Sequence, residues 1–197
     1  MPSDRLPALI ERIDQLNRQD PNHDPVQGVD VPRELRYAQQ LTEWVMRLNP
    51  HASEELRIAA RGQHVQRWTI PRDRFPKTRA GYLRWRETLK AFHAKTVGEL
   101  MREVGYPAPL IERVQTMMSK RRLADDPDTQ TLEDALCLVF LETQFAPLRR
   151  KTPEATMVEV LRKTWRKMSE PARAMALQLP LGQEERALLT RAGSIGG

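Results

Sequence analysis

Two of the four histidines, His64 and His93, fall inside segments of helical period, and a pair of carboxylates, Glu133 and Asp134, opens the apolar run "ALCLVFL". Imidazole is the side chain that changes charge nearest neutral pH, and it ligates metals as well. Imidazoles and carboxylates carried by separate helices can meet inside a bundle, where they hold a divalent ion or act as a general base. A plainer reading stands beside this one. Asp134 lies three residues after Thr131, the spacing of a capping box, and His64 beside Gln63 can be a hydrogen-bonded interior residue with no ligand.

Basic and aromatic side chains interleave in "RGQHVQRWTIPRDRFPKTRAGYLRWRETLKAFH". Residues 61–90 hold nine Lys/Arg against Asp73 and Glu87, a surplus larger than the net charge of +6 of the whole chain. Such focusing favours an anionic partner. Guanidinium groups grip phosphate oxygens through paired hydrogen bonds, and aromatic faces stack bases. Arg72, Arg74, Arg79 and Arg86 are therefore candidate phosphate ligands, with Gln63, Tyr82 and Trp85 as further ligand-binding candidates and Trp68 nearby. The alternative is a solvated helix face, with Tyr82, Trp85, Leu89 and Phe92 at core-facing helical spacing. A second basic group, "LRRK" with "LRKTWRK", lies mostly on a late helix, where a solvated face is an alternative reading.

The chain contains no cysteine pair for zinc, no HExxH, no phosphate-cradling glycine loop and no nucleophile elbow, which removes the common zinc sites and nucleotide folds. The single cysteine, Cys137, sits in the apolar run, so an intrachain disulfide is excluded and a reducing compartment is expected. No window approaches a membrane span, and the N-terminal segment is charged and helical, so a cytoplasmic location is expected.

The elements that must position these side chains are helices. Apolar residues recur at helical spacing throughout, and strand-like alternation is hard to find. The spacing predicts a first helix from a Ser3 cap to "QDPNHDP", a loop over "PVQGVDVP", and a second helix "RELRYAQQLTEWVMRL". A third runs from the Ser53 cap through His64 to Trp68 and Pro71. A long helix over 78–104 follows a proline-broken loop, and Gly105 separates it from "YPAPLIERVQTMMSKRRL". After the loop "ADDPDTQ" comes a central helix "TLEDALCLVFLETQF", then "KTPEATMVEVLRKTWRKM" with Thr152 as cap, "SEPARAMALQL" and "QEERALLTRA". The expectation is one all-α domain over 1–192, a bundle of eight to nine helices, with a frayed tail at 193–197.

"DPN", "SEELRIAARGQHVQRWTIPRDRFPKTRAGYLRWRETLKAFHA", "QTLEDALCLVFLE" and "VLRKTWRKMSE" resemble the family of domain of unknown function 4202 over nearly the whole chain. The chain is also remotely similar to the HD metal phosphohydrolases, whose successive helices hold metal through histidines and aspartates. That resemblance places Tyr37 where a first histidine stands, Gln63-His64 at the His-Asp pair, His93 at the next histidine and Asp134 at the last aspartate. No histidine follows Val114 to complete the pattern. The resemblance implies an HD-like bundle and a reduced metal set of His64, His93 and Asp134 for Mn, Fe, Zn or Mg, with His64 and Asp134 as catalytic residues. It also implies a phosphorylated small molecule or nucleotide as ligand and phosphatase or phosphodiesterase activity, or binding without turnover. The competing expectation is a non-catalytic RNA- or tRNA-binding module that uses the arginines of 61–90.

Overall fold

The computed structural model describes residues 5–26, 28–119 and 126–194. Helix α1 (Arg5–Asn17) buries Leu9 and Ile13, which recur at helical spacing; the expected Ser3 cap lies outside the described residues. The chain then forms an antiparallel hairpin, β1 (His23–Val26) on β2 (Val29–Pro32), with His23 opposite Pro32 and Val26 opposite Val29. This corrects the loop expected over "PVQGVDVP". The ribbon is short and half exposed, so it carries little apolar alternation to announce it, and Gly28 turns the chain at a φ of 81°.

Helix α2 (Arg33–Leu48) has the expected span and buries Leu35, Leu41 and Val45. Its first turn is satisfied from a distance. Asp20 Oδ2 accepts the Glu34 N–H at 3.0 Å, while Oδ1 accepts the backbone N–H of Asn22 at 2.9 Å and its side-chain amide at 2.8 Å. The "DPN" segment therefore caps a helix that lacks a local cap.

Helix α3 (Glu54–Gly62) starts as expected, with the Ser53 hydroxyl accepting the Leu56 N–H at 3.1 Å. It ends at Gly62, well short of Trp68, which corrects the placement of His64 inside a helix. The cause is tertiary. A Cβ on Gly62 would stand 2.3 Å from a Val97 methyl, so only glycine leaves room here for the Val97 side chain. Gln66 adopts a left-handed φ of 52°, and its N–H donates to Asn17 Oδ1 at 3.1 Å, a conformation that a right-handed helix cannot contain.

Single 3-10 turns at Arg67–Thr69 and Arg72–Arg74 lead to α4 (Arg79–Glu103), capped by the Thr78 hydroxyl, which accepts the Gly81 N–H at 3.1 Å. Gly105, at a φ of 83°, closes α4, and α5 (Ala108–Met118) packs back against it. Helix α6 (Pro127–Val139) continues through a π turn, Phe140–Gln144, into α7 (Phe145–Arg149). It packs against α2, α3, α8 (Glu154–Lys167) and α9 (Glu170–Leu177), the central place expected from its apolar circumference.

Helix α6 begins at Pro127 rather than Thr131, because Asp126 accepts the Asp128 N–H at 3.3 Å and the Thr129 hydroxyl at 2.7 Å. Thr131 instead donates to the Pro127 carbonyl at 2.9 Å, so the capping box expected with Asp134 does not form. At α8 it is Pro153, not Thr152, that holds the cap position. Helix α10 (Gln183–Ser194) enters the segment expected as a tail; residues 195–197 lie outside the described residues.

The described residues thus form ten α-helices and one small hairpin, a mostly-α single domain. One apolar cluster runs from Leu9 to Ala192. A partly buried bidentate pair, Arg61 to Asp14 at 2.6 Å on both oxygens, fastens α1 to α3.

Candidate functional site

The early end of α3 leaves Gln63, His64 and Arg67 on a turn facing α2, α4, α6 and α8, and a cleft of about 320 Å³ opens between these elements. A second basin of about 610 Å³ adjoins it and shares Tyr37, His64, Arg67 and Gln144 as a partition.

At this partition His64 stacks on Tyr37 with ring centroids 3.9 Å apart and planes 10° from parallel. Its Nδ1 lies 3.2 Å from Glu34 Oε2, and Arg67 Nε lies 3.8 Å from the other oxygen. Burial pushes the Glu34 carboxyl up to about 7, against the opposing pull of Arg67. Burial likewise raises the Tyr37 phenol and lowers the Arg67 guanidinium.

His93 comes from α4, with its ring 5.9 Å from that of His64. It is 3% exposed. Its Nδ1–H donates to the Val65 carbonyl at 2.8 Å, which leaves the lone pair on Nε2, a buried atom with no partner among the described residues. Burial first, and then the neighbouring His64, push His93 down to about 3, so at neutral pH Nε2 only accepts. Gln63 Oε1 is a second buried acceptor without a partner among the described residues.

Cations surround this floor. Arg67, Arg86, Lys90 and Lys167 line the cleft, where Glu133 is the one lining carboxylate and has Oε1 3.2 Å from Lys167 Nζ, while Lys90 Nζ lies 2.6 Å from Glu87 Oε1 outside the lining. The Trp85 indole N–H donates to the Ile70 carbonyl at 2.9 Å, and the Arg67 guanidinium lies 4.7 Å from the centre of the Trp85 ring. Tyr82, 41% exposed, accepts from Arg86 at 3.2 Å.

Of the residues expected from sequence, the cleft gathers Gln63, His64, Tyr82, Trp85, Arg86 and His93. Arg72 instead donates to the Phe75 and Pro76 carbonyls, both at 2.8 Å, and Arg74 to Thr69 at 3.3 Å, so these two brace their own loop. Arg79 is exposed at the start of α4, and Trp68 is half-buried outside the cleft lining.

Asp134 is turned elsewhere. Its Oδ1 accepts the Ser169 N–H at 2.8 Å and the Gln130 amide at 3.0 Å, and its Oδ2 accepts the Ser169 hydroxyl at 2.5 Å. The neighbouring Glu133 faces the cleft because successive residues on a helix differ by about 100° in direction. Of the metal set implied by the HD-like resemblance, the structure brings His64 and His93 together but not Asp134, which is committed to α9 and lies outside the cleft lining. No group of three or more His, Cys, Asp or Glu suited to a metal occurs among the described residues.

Glu34, Arg67, Lys90 and Lys167 were not singled out from sequence. Arg86, Lys90 and His93 follow helical spacing on α4, a legible signal. Lys167 reaches the cleft only because α8 packs on α6, which no local pattern announces.

The fold and cleft define a mostly-α single domain with a basic, internally polar pocket. The family model described as Domain of unknown function (DUF4202) matches residues 8–189, and the chain belongs to that family. No curated protein and no solved structure matches it. Among the described residues no helix is long and apolar enough to cross a membrane.

Proposed function

We propose that the cleft binds a phosphorylated small molecule. The observation that carries this reading is the charge of the lining, which holds Arg67, Arg86, Lys90 and Lys167 with Glu133 as its one carboxylate around a concave space of about 320 Å³, a volume in the range of small-ligand sites. Arg86 and Lys90 supply the phosphate contacts, and the pinned Trp85 and the exposed Tyr82 offer an apolar wall to the remainder.

Thermal unfolding in the presence of sugar phosphates and nucleoside monophosphates, each against its dephosphorylated counterpart, tests this. Phosphorylated members raise Tm and their counterparts do not. Arg86→Ala weakens binding by about tenfold or more, the worth of a charge-assisted hydrogen bond. Binding of RNA oligonucleotides with a steep salt dependence, and no response to any small phosphate, would replace this reading with the RNA-binding one.

Hydrolysis of the ester on an HD-like scaffold is a second reading, favoured by the facing imidazoles of His64 and His93. Elemental analysis of wild type beside His64→Ala and His93→Ala tests it. A stoichiometric ion lost in both variants supports it, and no bound ion after incubation with manganese, iron or zinc removes it.

A further inference from the structure

The floor of the cleft holds acceptors where a phosphate-only site would need donors. His93 Nε2 and Gln63 Oε1 are both buried and lack partners among the described residues. Both residues line the cleft. The bond from His93 Nδ1 to the Val65 carbonyl settles the tautomer, so Nε2 has no proton to offer an anion. A phosphate oxygen placed there would meet two lone pairs. A buried acceptor left unpaired is costly, so the complementary ligand group is an O–H or N–H.

The cations lie farther along the same helix. Arg86, Lys90 and His93 occupy positions i, i+4 and i+7 of α4 and share one face. At about 1.5 Å rise per residue, the Cα positions of Lys90 and Arg86 lie roughly 5 to 10 Å along the axis from that of His93. A ligand touching both ends must therefore present donors at one end and an anion at the other, separated by several bonds.

We infer that the cleft takes a phosphorylated sugar or nucleoside, with hydroxyl or amino groups donating to His93 Nε2 and Gln63 Oε1 and the phosphate ester held by Arg86 and Lys90. This rests on the phosphate-binding reading above and names the class of its ligand.

Calorimetric titration of the full chain with ribose 5-phosphate, adenosine 5′-monophosphate and methyl phosphate tests it, because methyl phosphate keeps the ester and removes the donors. At least one of the first two binds about tenfold or more tightly than methyl phosphate, and which of them does so distinguishes the sugar from the nucleoside source. Gln63→Leu reduces that ratio while leaving methyl phosphate affinity unchanged. Equal affinity for all three in wild type overturns the inference and leaves phosphate binding standing. No binding of any of the three overturns both. The comparison in wild type needs no variant to fold.

Discussion

His93 and Glu34 both neighbour His64, and burial drives both toward neutrality with opposite consequences for pH. An imidazole in the unfolded chain takes up its proton near pH 6.5, whereas His93 in the fold does so only at about 3. Between these limits the unfolded state holds more protons. The contribution of His93 is therefore full above pH 6.5 and is lost as pH falls toward 3, with a ceiling of about 5 kcal/mol at ~1.4 kcal/mol per unit. Urea midpoints of wild type and His93→Gln, compared from pH 7 to pH 4, are expected to shift steadily in favour of the variant; a constant gap would show that His93 does not titrate this way. Glu34 carries a raised value of about 7 against an ordinary 4.5, so here the folded state holds more protons in that window. Its stability contribution is full below 4.5 and disappears as pH rises through 7. Glu34→Gln, neutral throughout, should gain on wild type between pH 5 and pH 8 by up to ~3 kcal/mol, less whatever His64 and Arg67 return by pairing with the carboxylate. Chemical denaturation at the two pH values measures that gain directly.

At the scale of elements, the turn after α3 is the feature on which the cleft depends. Were α3 to continue as its sequence pattern suggests, His64 and Arg67 would follow helical spacing instead of facing α2 and α4 from a turn. The left-handed Gln66, held through its N–H by Asn17, supplies the break. Such a conformation costs a non-glycine residue roughly 1–2 kcal/mol. Gln66→Gly should leave stability within about 1 kcal/mol of wild type or raise it, while Gln66→Val, β-branched at positive φ, should lower it by more than that. Equal denaturation midpoints for the two variants would mean that the backbone at Gln66 is not under this constraint. Asp134 belongs to this scale too. A carboxylate that resembles a metal ligand in sequence serves as an acceptor for Ser169, joining α6 to the start of α9, and Ser169 in turn caps α9 through the Ala172 N–H.

For the whole molecule, close approach between distant segments decides where the cleft can be. The missing side chain of Gly62 lets α3 pack directly on the Val97 side chain of α4, which holds His64 and His93 with ring centroids 5.9 Å apart. Gly62→Ala must separate the helices or distort Val97, a cost of about 1–3 kcal/mol typical of overpacking. Because it acts on the spacing between the histidines, it should weaken ligand binding as well as lower Tm. Calorimetry with the best phosphorylated ligand, run beside thermal unfolding, separates the two effects; an unchanged affinity at lowered Tm would mean that the cleft does not depend on this approach.

Much of the architecture was legible along the chain because helices announce themselves locally. Periodic apolar residues, the Ser53 cap, the proline-broken loop before residue 78 and Gly105 foretold α2, the start of α3 and α4, and the apolar circumference of α6 foretold its central place. The hairpin was not legible, since a short, half-exposed ribbon has little alternation. Nor was the end of α3, since its cause, Val97 against Gly62 and Asn17 on Gln66, lies on other helices. In the candidate site, sequence alone marked His64, His93, Gln63, Tyr82, Trp85 and Arg86 as candidates, and these are the ones the cleft brings together. Tertiary structure decided which basic residues join them. It turned Arg72 and Arg74 onto backbone carbonyls, brought Arg67, Lys90 and Lys167 to the cleft, and exchanged Asp134 for Glu133. The physical reason is that residue type sets what a side chain can do, whereas its direction and partners depend on helix rotation and on neighbours distant in sequence.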